Sequence, residues 1–314
     1  MRPFRFGYQI DRESAGELVA NAREAEAAGF DVVHSWDHVV DGWSPLAPLL
    51  AVALATERVR VCPLVLNNDF HHPVHLAREL ASIDHLSGGR LELGIGAGHS
   101  LPEYTAIGSP FDPPRVRKAR LAEAVEILRR LLDGETVTCD GEHYRLDDVR
   151  TQRSMQEHLP FLVGVNGAAA LTHAAQHADI VGLTMLGRTL PDGNRHAVRW
   201  ESERLDAVVA LIREQAGDRP IELQPLVQAV EITDDRVASA QRLAADVEGL
   251  TVEDALASPF LALGTPDEIA AQYVAARERW GISYLTVRSI EPFARVIERL
   301  RAFDASGVVT TKDA

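Results

Sequence analysis

Apolar residues along this chain fall into short dense runs, separated by longer stretches in which they recur every three or four positions. These are the spacings of buried strands and of amphipathic helices. The dense runs are RFGYQI (5–10), DVVHSW (31–36), VRVCPLVL (59–66), RLELGI (90–95), FLVGV (161–165), DIVGLT (179–184), ELQPLVQAVEI (222–232) and ISYLTVRSI (282–290). Helix signals stand between them. Ser14 with Glu17 reads as a capping box, Ser44 precedes Pro45 at a first helical position, and a helix is expected over 73–86. Asp112 is placed to cap PPRVRKARLAEAVEILRRLLDG, and further helices are expected at NGAAALTHAAQHA, 196–216, 234–246, after Thr265-Pro266 with Glu268, and in PFARVIERLRAF.

Eight strand-then-helix units are the number a (β/α)8 TIM barrel requires, although a doubly wound open sheet would alternate in the same way. The glycines separate the two. Gly94, Gly96 and Gly98 do not make the GxGxxG of a dinucleotide fold, and they lie on the fourth strand instead of the first. The expectation is one α/β barrel domain over 1–314 with insertions. One insertion is a hairpin near 136–146, where Asp140-Gly141 separates two β-prone runs. Two more are the stretches near 185–200 and 248–264, whose length suggests lids.

Composition narrows the function. A chain of 314 residues with 46% hydrophobic and 25% charged residues is that of an ordinary globular enzyme. Its formal charge of -14 argues against nucleic acid or an anionic membrane as partner, because either needs a cationic footprint. The longest apolar stretch, 45–55, is too short to span a bilayer, and the first residues lack a signal-peptide apolar region. A cytoplasmic protein acting on a small molecule is expected. Cys62 and Cys139 lie in unrelated segments, which suits reduced thiols.

In a barrel, chemistry collects at the C-terminal ends of the strands. Those ends here carry Tyr8 and Gln9; Trp36, Asp37 and His38, with Trp43 nearby; Asn67, Asn68 and Asp69; Gly96, Gly98 and His99; and Asn166 with Gly167. His38 suits general acid/base work, with Asp37 to orient it, or is a loop residue bonded to its own backbone. Trp43 is either a substrate contact or a core or lid aromatic. GVNGAAA (164–170) is either a tight turn or a helix start whose bare amides could cradle a phosphate, with GAGHS as a second wall. The histidines of HHPVH, His71, His72 and His75, together with His34 and His38, raise a metal site. They lack a familiar ligand spacing and read more naturally as loop residues.

The stretches SWDH, PLVLNNDFHHP, SGGRLELGIGAG, EYTAIGSPFDPP, RLAEAVEILRRLLDGETVTCDGEHYRL and HADIVGL together resemble the luciferase-like monooxygenase superfamily, and in particular its coenzyme F420-dependent oxidoreductases. The resemblance implies a (β/α)8 barrel binding a flavin or deazaflavin in its mouth, with a non-prolyl cis peptide at Leu64-Val65 behind the ring. It further implies cofactor contacts at Asn67, Gly98, His99, Asn166, Gly167 and Ala168, and catalytic roles for His38, His99 and Trp43. Two departures stand out. His99 replaces the glutamate of the sugar-phosphate dehydrogenases, and Trp43 is displaced by one position, which argues against a sugar phosphate as substrate. The expected function is hydride transfer between F420 and a small organic substrate. Three alternatives remain: a monooxygenase using reduced FMN and oxygen, a metal-assisted hydrolase built on His34, His38, His71 and His75, and a flavin-binding protein without catalysis. A homodimer is expected.

Overall fold

The computed structural model describes residues 1–11, 13–39, 42–193 and 195–306. All eight dense apolar runs contain parallel strands. They are β1 (Arg5–Gln9), β2 (Val32–Ser35), β3 (Arg60–Pro63), β4 (Leu93–Gly96), β5 (Phe161–Val165), β6 (Ile180–Leu183), β7 (Glu222–Pro225) and β8 (Tyr284–Val287). One sheet has the order β8-β1-β2-β3; the other has β7-β6-β5-β4, with a short strand at Leu66–Asn67 on its edge. Parallel bridges join the sheets at both seams, Val61 to Leu91 on one side, Leu223 to Ile282 and Leu226 to Thr286 on the other. The strands therefore succeed one another around a (β/α)8 barrel.

The helices are α1 (Ala15–Ala27), α2 (Leu46–Ala55), α3 (Pro73–Leu86), α4 (Leu101–Ala106), α5 (Pro114–Leu132), α6 (Ala168–His177), α7 (Ser202–Ala216), α8 (Arg236–Asp246), α9 (Val252–Ala257), α10 (Pro266–Trp280) and α11 (Glu291–Ser306). Among the described residues, no helix is long and apolar enough to cross a membrane. Ser14 and Thr265 head reciprocal capping boxes. Ser44 and Asp112 do not cap. Their helices begin one residue later than expected, behind Pro45 and Pro113, and the Asp112 carboxylate pairs with Arg120 instead.

The insertions are more regular than their sequences suggest. Val137–Asp140 and Arg145–Val149 form an antiparallel hairpin, whose turn is held by Glu123 accepting from the His143 and Tyr144 amides at 2.9 Å. Leu186–Thr189 and His196–Val198 form a second hairpin over the mouth; Asn194, between them, lies outside the described residues. The stretch 248–264, expected as a loop, contains α9 and a buried strand, Leu261–Gly264. That strand pairs in parallel with Ala229–Ile232, the separate second half of the seventh apolar run. Its apolar residues and Phe260, stacked on Trp200 with centroids 5.3 Å apart, tie it into the core.

The barrel interior is partly polar. At the strands' N-terminal ends, Arg5 bridges Glu92 and Glu222, and Arg60 adds a second cation to Glu92. Higher up, wholly buried His34 has Nδ1 3.1 Å from the Cys62 carbonyl, and Nε2 3.0 Å from the Tyr284 hydroxyl and 3.3 Å from that of Thr286. A carbonyl only accepts, so Nδ1 carries the proton and Nε2 accepts. Burial pushes the imidazole down to about 4. The unfolded chain binds a proton near pH 6.5, so this site costs nothing above that pH. Between about 6.5 and 4 the unfolded state gains a proton that the folded state refuses, and stability falls by up to about 3 kcal/mol. Denaturant titrations at pH 7 and pH 4.5 are expected to show a smaller acid loss in His34→Gln than in the wild type; equal losses would contradict this assignment.

Candidate active site

The site begins with a packing problem at the end of β3. The peptide bond Leu64-Val65 is cis, and the Gln9 amide donates to the Leu64 carbonyl at 3.3 Å. The chain here bulges toward β4 and β5, and only glycine leaves it room. A Cβ at Gly94 would stand 1.8 Å from the Pro63 carbonyl oxygen; one at Gly96 would lie 2.9 Å from a Val65 methyl, and one at Gly164 3.3 Å from the other. Gly98 has φ +71, and a Cβ there would run into the Tyr104 hydroxyl at 2.3 Å and Asn67 Oδ1 at 2.4 Å. The glycines are thus set by the protein's own packing. They leave Leu64 and Val65 as a partly buried apolar shelf in the mouth.

A row of rings lies along the same rim. Trp36 and His38 have centroids 5.7 Å apart, His38 and His99 5.7 Å, and His99 and His196 5.5 Å. His38 is oriented by Glu103, not by Asp37: Nδ1 lies 2.8 Å from Glu103 Oε1, while Oε2 accepts the Val39 amide at 3.1 Å. Glu103 is 8% exposed and rides on α4, which starts directly behind His99. Asp37 is occupied elsewhere, accepting from the Asn67 amide at 2.8 Å and pairing with His71 Nε2 at 3.0 Å. His99 is exposed at the rim, yet desolvation by the surrounding walls, aided by the neighbouring His38 and His196 imidazoles, lowers it to about 4.

Other predicted residues divide clearly. Trp43 donates its indole N–H to the Glu13 carbonyl at 3.0 Å and is 45% exposed. The Asn67 side chain accepts from Tyr104 at 3.1 Å and from the Asp69 amide at 3.2 Å, bracing the loop. His72 caps α3 through the Val74 amide. With His34 buried in the barrel and His71 on Asp37, the histidines weighed for a metal hydrolase do not converge.

The anion cradle has more parts than the sequence shows. Gly167, with φ +89, caps α6, and Gly167, Ala168 and Ala169 are exposed at its N-terminus. Lys118 Nζ reaches the Asn166 carbonyl at 2.5 Å, and a Cβ on Gly167 would stand 3.2 Å from that ammonium. Desolvation and the adjacent Arg117 guanidinium lower Lys118 from its ordinary value. No carboxylate pairs with Lys118 among the described residues' ion pairs. The charge-rich segment RVRKARLAEAVEILRR turns three cations inward. Arg117 donates to the Ala97 and Gly98 carbonyls, Lys118 faces the cradle, and Arg120 bridges Asp69 and Asp112. A bare helix N-terminus beside an ammonium with no carboxylate partner among the described residues is electrostatically favourable to an anion.

The sequence model of the luciferase-like monooxygenases matches residues 2–284. The chain belongs to this family. Within it, the chain is 35% identical over 188 residues to an F420-dependent glucose-6-phosphate dehydrogenase of Kineococcus radiotolerans, covering 57% of this chain and 56% of the relative. A protein of the same name from Microbacterium testaceum is 31% identical over 281 residues, covering 76% of this chain and 83% of the relative. Thus the chain spans little more than half of the first relative and most of the second. Among solved structures, a monooxygenase from Streptomyces bottropensis superposes with a TM-score of 0.71 at 26% identity, covering 96% of this chain and 98% of the other. In this family member, the depressed basicity of His99 can be read directly. Its imidazole NMR signals are expected to titrate with a midpoint near pH 4, so that the ring is neutral at pH 7; a midpoint at or above 6.5 would contradict the desolvated site.

Proposed function

We propose that this chain is a coenzyme F420-dependent oxidoreductase that exchanges a hydride between the deazaflavin and a small organic substrate. One observation carries the reading: the Leu64-Val65 shelf packs on Gly164, and the cradle at Gly167, Ala168 and Lys118 opens three residues further along the same chain. An aromatic ring resting on the shelf would leave its phosphate-bearing tail within reach of the bare α6 amides. The residues present therefore fit the cofactor.

When bound, the deazaflavin supplies the two-electron chemistry, and the protein supplies position and proton transfer. His38, fixed by Glu103, is the group we assign to proton movement, since Nδ1 is held by the carboxylate while Nε2 has no hydrogen-bond partner among the described residues. His99, uncharged at neutral pH, offers a hydrogen bond to substrate without adding positive charge. Trp36 walls the substrate side, the role expected of Trp43. Cofactor contacts are assigned to Leu64, Val65, Gly98, Asn166, Gly167, Ala168 and Lys118. Glucose 6-phosphate, from the names of the relatives, is the first substrate to assay. His99, standing where the resemblance places a glutamate, argues for a different small molecule. The homodimer expected from the sequence belongs to the same reading.

A monooxygenase using reduced FMN is the second reading, favoured by the Streptomyces bottropensis relative. Both cofactors carry a phosphate, so the ring distinguishes them. Fluorescence titrations with F420 and FMN are expected to give at least a tenfold lower Kd for F420, about 1.4 kcal/mol. Gly167→Asp, which places a carboxylate in the cradle, and Lys118→Ala should each weaken F420 binding by roughly tenfold or more. Tighter FMN binding would move the assignment to the monooxygenase. Binding of neither would remove the redox reading altogether.

A further inference from the structure

Away from the mouth, His173 and His177 stand one turn apart on α6 and project from the same face. Their rings stack with centroids 4.4 Å apart and planes inclined by 23°. Glu126 of α5 meets them from the neighbouring helix, its Oε1 3.7 Å from His173 Nε2, too long for a hydrogen bond. One donor atom from each of the three side chains lies within 4.8 Å of the others. No other group of three such donors converges in this way among the described residues.

His173 Nε2 is shielded from solvent and has no hydrogen-bond partner among the described residues, an arrangement that costs free energy unless something fills it. Around zinc, with bonds of about 2.0–2.2 Å, donors sit about 3.3–3.5 Å apart. The exposed side chains of His177 and Glu126 need to close by only on the order of 1 Å to reach that spacing.

We propose that His173, His177 and Glu126 form a binding site for a borderline divalent transition-metal ion such as Zn2+, which fastens α6 to α5. Two imidazoles and one carboxylate suit Zn2+, Ni2+ or Co2+ and discriminate against Mg2+ and Ca2+, which prefer all-oxygen ligands. Water completes the coordination on the solvent side. The ion would tie together the two helices that carry Lys118 and the α6 N-terminus. The site itself is independent of which cofactor, if any, the mouth binds.

The test is calorimetric titration of the chelator-treated full chain with ZnCl2, NiCl2 and MgCl2, with thermal denaturation in parallel. One equivalent of Zn2+ is expected to bind with micromolar affinity and raise Tm, Ni2+ to bind similarly, and Mg2+ not at all. A His173→Ala/His177→Ala variant should lose that equivalent and the Tm rise, Glu126→Gln should bind about tenfold more weakly, and His72→Ala/His75→Ala should bind as the wild type does. If the double variant does not fold, His177→Gln, at an exposed position, carries the same comparison. Absence of saturable Zn2+ binding, or an equivalent that survives loss of His177, overturns the proposal.

Discussion

The crowding between the end of β3 and the strands beside it governs the upper half of this barrel. The Pro63 carbonyl occupies the space a side chain would need at position 94, and the Val65 methyls occupy the space at 96 and 164. Interiors are close-packed, so a Cβ at any of these positions would have to displace backbone or the partly buried Val65 side chain. Three glycines on two strands therefore allow one bulge on a third. That bulge creates the apolar shelf, and the chain leaving Gly164 on β5 turns three residues later into the cradle at Gly167. Fold and site are coupled through the same few contacts.

Charge is arranged against the chain's average. A formal charge of -14 repels anions at long range, yet the mouth concentrates cations whose partners are neutral. Arg117 is bonded to carbonyls, Lys118 to the Asn166 carbonyl, and Arg288, at the end of β8, to the amide oxygens of Gln9 at 2.9 Å and Gln228 at 3.3 Å. The carboxylates near this rim are committed to other partners: Glu103 to His38, Asp37 to His71, and Asp69 to Arg120. These three cations thus bond neutral oxygens at the rim of an acidic protein.

The barrel was legible because strand and helix periods are local signals, and each of the eight apolar runs contains a strand. The resemblance to the family was legible for a similar reason, since its motifs are contiguous. Pairings across the fold were not. Glu103 and His38 are 65 positions apart, and Lys118 and Asn166 are 48; nothing in either neighbourhood names the partner. A buried acid on a short helix directly after His99 was the available signal for Glu103. Lys118 was hidden by its basic surroundings, which pattern alone assigns to solvent. The strand Leu261–Gly264 was missed because a four-residue apolar run beside Pro259 carries too little period to distinguish strand from loop.

The central claim is that shelf and cradle together hold a deazaflavin. A crystal structure of the protein in complex with F420 tests it most directly. The account predicts the tricyclic ring against Leu64 and Val65, with the phosphate on the Gly167 and Ala168 amides within reach of Lys118, and His38 on the open face of the ring. A cofactor found with its phosphate away from α6, or its ring away from the Leu64-Val65 shelf, would contradict it.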